Sequence, residues 1–384
     1  MTETSRALDA IRRWGEEHDW CGYDPYDALN SPFSGVVTLG RPLGRRVLTQ
    51  AVKRSPVNLR PALRIRRAWN AKAIGLVASG YARLFAARDD TSAAAAARRW
   101  LDWLVEHSTA GVGLGWGYHF DVQTRFFFYR AGTPNAIATS FAGHALLDGA
   151  ELLRDETYAV AAGDVARFLS ERMLADADAP YFRYLPTEPE LVHNANLLAS
   201  SVAARTSIVR GEPVDDRVTA AVRTSLDAQR GDGSWPYAEG SAGDWVDNFH
   251  TGYVLEALGL FDDLDPRVRP ALERGFDYWE RELFDQDGVP MYTPASLYPI
   301  DAHNYAQAVD TWVSAAGWRP DALERADSCA RLLVTRMLNP RGYVDFQQGR
   351  LIRNRLPFVR WTTAPTFRAL AGLELGHVRH GDPS

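Results

Sequence analysis

A carboxylate, an imidazole and a phenol lie at helical spacing in the string Asp244-Trp-Val-Asp-Asn-Phe-His-Thr-Gly-Tyr253. Asp247, His250 and Tyr253 are three positions apart and share one helix face, with Asp244 in the approach to it. Such a set transfers protons, so we predict His250 as a base and Tyr253 as an acid, with Asp247 as their partner. The structural alternative is that Asp247 caps the helix and His250 is a hydrogen-bonded core histidine.

Two further strings, His193-Asn-Ala-Asn196 and Asp301-Ala-His-Asn-Tyr305, place imidazole and amide groups at predicted helix starts. Such groups stabilise the charge that develops when the proton next to a carboxylate is removed, which is the chemistry of uronate lyases and epimerases. The predicted proton-transfer residue here is His193, and the predicted substrate-binding residues are Asn194, Asp301, His303 and Asn304. Asn and Asp are also routine helix caps, and capping is the alternative for the two asparagines.

Aromatic and charged residues also gather beside glycine and proline turns. Arg125 is predicted to clamp a carboxylate and Trp116 to stack on a sugar ring, the alternative being an Asp121–Arg125 pair that only pins the loop. Asp24 and Asp27 would serve glycoside hydrolysis as paired carboxylates, although an Asx turn explains one of them equally well. The other predicted substrate-binding residues on these loops are His119, Tyr184, Trp235, Asp244, Arg360 and Trp361.

These residues lie on a repeated plan of a polar-faced helix, an aromatic loop and a helix rich in small residues. The second helices begin near Asn70, Asn135, Asn194, Asn248, His303 and Thr362, so their starts lie 54 to 65 residues apart. The first helices are predicted near 5–18, 92–107, 157–175, 213–230, 266–284 and 320–338. Six amphipathic outer helices around six small-residue inner helices predict an all-α fold, an (α/α)6 toroid in which residues 1–384 form a single domain.

In such a ring the outer-to-inner loops emerge at one end, together with the N-termini of the inner helices. Those N-termini present unpaired N–H groups that suit anions such as carboxylates. The predicted site therefore lies at this end of the ring. Aromatic rings stack on the C–H faces of sugars, and Asp, Asn and Arg bind hydroxyls, so the loops favour a sugar over a small anion or a terpenoid.

Composition excludes several classes of protein. The net charge is -5, with 43 basic and 48 acidic residues and no basic tail, so nucleic acid is not an expected partner. The locally basic stretch Arg41–Arg67 is a solvated face or a peripheral contact with a phosphate or membrane surface. Cys21 and Cys329 do not form a metal motif and indicate a reducing compartment. With no apolar leader or membrane-length segment, we expect a cytoplasmic protein without metal or cofactor.

One string resembles a known repeat motif. Gln229-Arg-Gly-Asp-Gly-Ser-Trp235 is similar to the Gln-x(2-5)-Gly-x-Trp motif of the squalene and oxidosqualene cyclases, which are α/α toroids. The Asp-x-Asp-Asp acid motif of those cyclases is missing, because Phe261-Asp-Asp-Leu-Asp265 has the wrong order. The resemblance therefore supports the architecture and leaves an isoprenoid-binding toroid as an alternative function.

Over most of its length the chain resembles the six-hairpin carbohydrate-active toroids, which include uronyl hydrolases, polysaccharide lyases and sugar epimerases, and toroid proteins of prokaryotic polysaccharide and glycan assembly. The six-pair layout carries the resemblance, with the strings GWGYHFDVQ, HNANLLA and WVDNFHTGYVLEAL. It implies an enzyme that acts on an acidic, uronate-containing glycan or lipid-linked oligosaccharide, by hydrolysis or by proton abstraction as a lyase or epimerase. The alternative of another class is a non-catalytic glycan-binding or scaffold protein.

Overall fold

The computed structural model describes residues 2–175 and 178–381, in which six outer helices alternate along the chain with six inner ones. The outer helices are α1 (Glu3–Glu17), α5 (Thr91–Glu106), α7 (Glu156–Phe168), α9 (Asp216–Asp227), α11 (Val268–Glu282) and α13 (Ala322–Met337). The inner helices are α4 (Ala71–Arg88), α6 (Ala136–Leu152), α8 (His193–Val209), α10 (Asn248–Gly259), α12 (Ala302–Ser314) and α14 (Ala364–His380). This order confirms the predicted all-α (α/α)6 toroid.

The inner helices form a closed ring. Each contacts the next in the order α4, α6, α8, α10, α12 and α14, and α14 packs back on α4. Small residues make these contacts close: a methyl group on Gly75 would lie 2.8 Å from the carbonyl oxygen of Phe141. The inner helices are buried along most of their length, as their composition predicts, whereas an outer helix such as α5 buries one stripe that includes Trp100, Leu101 and Leu104.

The first connection carries two helices that the six-hairpin plan does not predict, α2 (Ser34–Thr38) and α3 (Pro42–Arg54). The β-strands are short, and they hold loops together. β1 (Val122–Gln123) pairs with β2 (Phe128–Tyr129), β3 (Leu174–Ala175) pairs with β4 (Tyr181–Phe182), and β5 (Ile300–Asp301), β6 (Gln347–Gln348) and β7 (Arg353–Asn354) form a three-stranded antiparallel sheet.

The outer-to-inner loops contact one another around one end of the ring, which we call the loop end. We number these loops one to six in chain order, so that loop one follows α1, loop two α5, loop three α7, loop four α9, loop five α11 and loop six α13. Asn30 Nδ2 donates to the carbonyl of His119, joining loops one and two. The backbone N–H of His193 donates to the carbonyl of Tyr237, joining loops three and four. The β5–β6 pairing joins loops five and six, and the Asp24–Arg360 ion pair closes the circle to loop one. In the described residues, no helix is long and apolar enough to cross a bilayer.

Candidate active site

Four inner helices begin at the loop end with a side-chain cap. Asn70, Asn135, Asp247 and Asp301 accept hydrogen bonds from the backbone N–H two or three residues on, at 2.9 to 3.0 Å. The capping interpretation fails for Asn194, because Val192 occupies the N-cap position of α8, and for Asn304, because Asp301 caps α12. The caps satisfy free N–H groups and bring carboxylates to the helix starts.

Asp247 and His250 form a carboxylate–imidazole pair. His250 Nδ1 lies 2.8 Å from Asp247 Oδ2, so Nδ1 carries the hydrogen and Nε2 keeps the lone pair. The His250 side chain is 20% exposed and the Asp247 side chain 5%. The imidazole is held among the rings of Phe249, Tyr237 and Trp245. Asp247 therefore caps the helix and also orients the imidazole, and its part in proton transfer stays a prediction.

A second histidine ends a buried chain of hydrogen bonds. His303 Nδ1 donates to the carbonyl of Trp361 at 2.8 Å, which leaves Nε2 to accept from the Tyr253 hydroxyl at 2.7 Å. Lys72 Nζ donates to the same hydroxyl at 3.1 Å. Burial lowers the pKa of Lys72 well below its ordinary value, with help from Arg360, and burial also lowers the pKa of His303 and raises that of Tyr253. The Tyr253 proton is therefore committed to His303 and not to substrate.

The ring of Phe249 links the two histidines. Its centroid lies 3.9 Å from that of His250 and 5.0 Å from that of His303. Trp361 stacks on His303 at 4.7 Å and donates its indole N–H to Asp301 at 3.1 Å. Burial raises the pKa of Asp301, which also accepts a hydrogen bond from the backbone N–H of His303 in the first turn of α12. The structure thus brings together four of the predicted residues. They are His250 on α10, Asp301 and His303 at the start of α12, and Trp361 at the end of the sixth loop.

The paired aspartates of loop one are engaged by arginines. Arg360 donates to Asp24 Oδ1 at 2.8 Å, and Arg60 donates to Asp27 Oδ1 at 2.7 Å in a fully buried pair. The backbone N–H of Tyr26 donates to Asp24, as expected for an Asx turn. Burial by itself would raise the pKa of Asp24, but the attraction of Arg360 lowers it, whereas burial raises the pKa of Asp27 to about 6. Both ion pairs hold loop one in place. Because Arg360 already binds the carboxylate of Asp24, it is not free to bind a substrate carboxylate in this arrangement.

His119 lies beside the Asp24–Arg360 pair. Its Nδ1 lies 3.4 Å from Asn70 Nδ2, and its buried Nε2 has no hydrogen-bond partner in the described part of the chain. Burial lowers the pKa of His119 to about 4, with Asp24 opposing and Arg360 reinforcing the shift. The imidazole is therefore neutral near pH 7.

Two polar residues predicted for the site make structural bonds, and a third lies beside His250. His193 is fully buried between α8 and α9, and its ring nitrogens bond to Ser225 Oγ and Glu239 Oε1, both at 3.1 Å. With both nitrogens engaged, it is poorly placed to act as a base. Asn304 Nδ2 donates to a backbone carbonyl at 3.1 Å. Asn194 lines the small cavity beside His250, and its buried Oδ1 has no partner among the described residues.

Two surface ion pairs differ from the predicted arrangement of loops two and four. Asp121 binds Arg130 at 2.8 Å and the Ala131 N–H, so the residue that pins the loop is Arg130 and not Arg125. Arg125 is exposed. Asp244 pairs with Arg230 on the surface and does not join His250. Asp121 and Asp244 therefore pair with arginines other than the partners that sequence spacing predicted or left open.

Three aromatic residues predicted to bind substrate are packed into the protein. Trp116 and Trp235 each donate the indole N–H to a carbonyl at the end of the preceding outer helix, at 2.9 and 2.8 Å, and are 1% and 3% exposed. Tyr184 packs on Phe127 with 5.2 Å between centroids. These rings fill the loop end and offer little face to a sugar.

The Gln-to-Trp motif also has a structural role. Gln229 Nε2 donates to the carbonyls of Gly233 and Ala271 at 3.0 and 2.9 Å, and a methyl group on Gly275 would lie 2.7 Å from the Trp235 ring. The motif thus fastens loop four to α11. Its Trp235 also lines the small cavity beside His250.

Lys53 and Lys72 were not predicted as site residues, although they are the only lysines in the chain and this rarity could have pointed to them. Both are buried, at 8% and 3% exposure. Lys53 Nζ donates to the Tyr26 hydroxyl at 2.6 Å and lies 5.5 Å from the Trp361 ring centroid. In residues 2–175 and 178–381 the two lysine side chains are therefore buried, and both lie at the loop end.

The cavity beside His250 is small. The cavity beside His250 holds about 10 Å³, which is room for one water molecule, between Tyr237, Trp245 and Asn194. The helix α3 lies over loop two, where Arg45 stacks on the Phe128 ring at 4.0 Å.

The other end of the ring holds a charged cavity of about 460 Å³. Arg83, Arg205 and Arg368 alternate around it with four carboxylates, Asp148, Glu151, Glu256 and Asp310, and each of the arginines bonds to at least two of them. His144 bonds to Ser201 at 2.9 Å, and burial lowers the pKa of this histidine to about 3. Sequence reasoning missed this network because its members are spread over six inner helices.

Within residues 2–175 and 178–381, no group of three or more His, Cys, Asp or Glu side chains is arranged to hold a metal ion. The chain also matches no protein-family model and no curated protein sequence.

The ring of six hairpins, with polar groups at its loop end, defines an (α/α)6 toroid, and solved structures share it. An unsaturated glucuronyl hydrolase specific for heparin aligns over 98% of this chain and 96% of its own, with a TM-score of 0.62 and 12% identity. A D-mannose isomerase aligns over 81% and 87%, with a TM-score of 0.61 and 12% identity. A cellobiose 2-epimerase from Bacillus thermoamylovorans aligns over 80% and 88%, with a TM-score of 0.58 and 12% identity. The expected resemblance to carbohydrate-active toroids is confirmed as a similarity of fold.

Proposed function

We propose that this chain is a carbohydrate-active enzyme whose loop end removes or delivers a proton on a sugar, with His250 as the base. The Asp247–His250 pair carries the proposal. Asp247 fixes the hydrogen on Nδ1 and stabilises the imidazolium that forms when Nε2 takes a proton. His250 is also the more exposed of the two clustered histidines. The ring of His303, by contrast, is bonded at both nitrogens.

Proton transfer is favoured over hydrolysis by paired carboxylates. Glycosidases use one carboxyl as acid and a second as base or nucleophile, about 5 to 9 Å apart across the bond. Asp24 and Asp27 are each held by a buried arginine, which removes the freedom that either role needs. The sugar isomerase and epimerase among the structural neighbours agree with this choice, whereas the glucuronyl hydrolase keeps hydrolysis as the second candidate.

The buried chain Lys72–Tyr253–His303 supports the site from behind. Its hydrogen bonds fix the tautomer of His303 and the orientation of the ring that packs on Phe249, against which His250 also lies. Holding a catalytic imidazole by packed rings and locked hydrogen bonds limits its motion, which is the requirement for efficient proton transfer. We assign Lys72, Tyr253 and His303 as positioning residues.

The acidic character of the substrate, and its place in glycan assembly, stay predictions. Arg360 is neutralised by Asp24, so recognition of a uronate would fall to Arg125 on the exposed part of loop two. Matched pairs of glucose- and glucuronate-containing disaccharides test this directly, and the uronate specificity is wrong if Arg125→Gln leaves their turnover ratio unchanged.

The test of the enzyme itself is solvent deuterium uptake. Aldoses, ketoses and uronate oligosaccharides are incubated with the protein in D2O and examined by mass spectrometry and NMR. We expect one class of sugar to gain deuterium at a carbon next to its carbonyl, and His250→Gln to abolish the gain while the melting temperature stays within a few degrees. His107→Gln is the matched control, since this exposed imidazole contacts only Trp103 of its own helix, by a hydrogen bond to the carbonyl and by stacking on the ring.

Three outcomes would contradict the proposal. Addition of water without deuterium on carbon would mean hydrolysis, and binding of sugars without any turnover would mean a glycan-binding protein. Loss of activity in Leu260→Trp, which fills the mouth of the opposite cavity, together with full activity in His250→Gln, would place the active site at the other end of the ring.

A further inference from the structure

The exposed apolar side chains of this protein are concentrated on one face. Of the 18 large apolar side chains exposed in the described residues, eight lie within 27 consecutive positions. They are Phe33, Val36, Val37, Leu39, Leu43, Val47, Val57 and Leu59. Val36 and Leu39 are 79% and 72% exposed. Single exposed apolar residues are ordinary, but a cluster of this density marks a surface that another phase or molecule covers.

The helix α3 mixes apolar and cationic side chains on its exposed side. Leu43 and Val47 are four residues apart and exposed, Arg54 continues the same stripe, and Arg46 lies beside it. The opposite side of the helix, with Val52, is buried against the loop end. A helix whose free side carries both apolar and cationic side chains has the pattern of an interfacial helix that lies in the plane of a membrane surface.

The charge of this face is of one sign. No Asp or Glu occurs between Ala28 and Arg88, although the whole chain carries 48 acidic residues. Six exposed arginines lie in this region, namely Arg41, Arg46, Arg54, Arg64, Arg66 and Arg67. None of the six has an ion-pair partner in the part of the chain that the structure describes, whereas most exposed arginines elsewhere pair with Asp or Glu.

A hairpin extends the same face. Leu351 and Ile352, at the turn between β6 and β7, are 98% and 62% exposed. Asn354 on β7 donates to the carbonyls of Lys53 and Ser55 at 3.3 and 3.0 Å, which ties the hairpin to the end of α3. The exposed parts of residues 33–67 and 349–352 are together called the apolar-basic face.

We propose that the apolar-basic face docks on a bilayer that contains anionic phospholipid. Valines and leucines would enter the headgroup boundary while the arginines bind lipid phosphate. A second copy of this chain is a poorer occupant, since a twofold contact would set unpaired arginines against one another. A soluble polyanion would leave the apolar side chains exposed. If the proposed function holds, docking also brings the loop end close to sugars attached to lipids.

The test is co-sedimentation of the whole chain with vesicles of phosphatidylcholine alone and of phosphatidylcholine mixed with phosphatidylglycerol. We expect binding to the anionic vesicles that weakens as salt rises, because the arginine contacts are screened. Arg46→Glu/Arg54→Glu should reduce the partition coefficient at least tenfold. Arg6→Glu/Arg13→Glu on the outer helix α1 makes the same change in net charge and should bind as the wild type does.

A second pair of variants separates apolar insertion from charge alone. Val36→Asn/Leu39→Asn should reduce vesicle binding severalfold, whereas Val160→Asn/Val378→Asn, at similarly exposed sites elsewhere, should not. The proposal is overturned if the wild type does not bind anionic vesicles, if both charge variants lose binding equally, or if heparin binds as tightly and Val36→Asn/Leu39→Asn has no effect. Because this assay needs no turnover, its failure is distinguishable from failure of the proposed enzyme.

Discussion

Replacing His119 should make the protein more tolerant of acid. Burial lowers the pKa of this imidazole from 6.5 to about 4, so the unfolded chain binds a proton in that interval more readily than the native chain does. A base with a lowered native pKa stabilises the fold above pH 6.5 and loses that contribution as the pH falls to about 4. At about 1.4 kcal/mol per tenfold change in proton affinity, the loss amounts to roughly 3 kcal/mol.

The assay is urea denaturation of wild type and His119→Gln across this pH interval. The wild-type free energy of unfolding should fall more steeply, so that the difference between the two proteins shifts by about 3 kcal/mol in favour of the variant at the acid end. Asp27, whose pKa burial raises to about 6, titrates in both proteins and cancels in the comparison. His107→Gln should follow the wild type. Parallel curves for wild type and His119→Gln would refute the reasoning, since they would show that this imidazole is not a buried neutral group.

Three further predictions concern the interior. Asp24→Asn should destabilise the protein by about 3 to 5 kcal/mol because it leaves Arg360 buried without its carboxylate, and adding Arg360→Met should recover much of that loss in the same denaturation assay. Gly75→Ala should cost about 1 to 3 kcal/mol because its methyl group would meet a carbonyl oxygen of α6 at 2.8 Å, whereas Gly259→Ala, with nothing within 4 Å, should be neutral or stabilising by up to about 1 kcal/mol. Lys72→Met should raise the melting temperature, because burial lowers the pKa of this amine and the wild type forgoes its protonation on folding; a lower melting temperature in calorimetry would contradict this.

Stabilisation by Lys72→Met together with reduced turnover would indicate that the amine is retained for the reaction and not for the fold. Functional sites often hold groups that cost stability. The same comparison separates Lys72 from the Asp24–Arg360 pair, whose disruption should weaken the fold and the site together.

The ring itself was predictable from sequence because its signals are local. Helical spacing of apolar residues and small-residue composition appear within each segment, and the repeat of 54 to 65 residues appears in the order of the segments. The caps Asn70, Asn135 and Asp247 were readable for the same reason. Capping by Asn194 and Asn304 is not observed, because Val192 and Asp301 occupy the N-cap positions of these two helices. That the ring forms one domain stays a prediction.

Site residues were harder to predict because their partners are distant in sequence. Nothing near His193 shows that Ser225 and Glu239 engage its ring, and nothing near Arg360 shows that Asp24 neutralises it from 336 positions away. Lys72 likewise depends on Tyr253, a residue 181 positions away. Composition held one usable signal for the site, the presence of only two lysines among 43 basic residues.

Sequence alone therefore determined the number of hairpins, the identity of the inner and outer helices and the Asp247–His250 pair, since each depends on residues a few positions apart. Tertiary structure decided which polar groups are free to react. It packed aromatic rings together at the loop end and paired Asp24 and Asp27 with buried arginines. It also arranged the apolar and basic residues of 33–67 on one exposed face. The physical reason is that burial and pairing set the chemistry of a charged group, and both are properties of neighbours that the chain brings together only on folding.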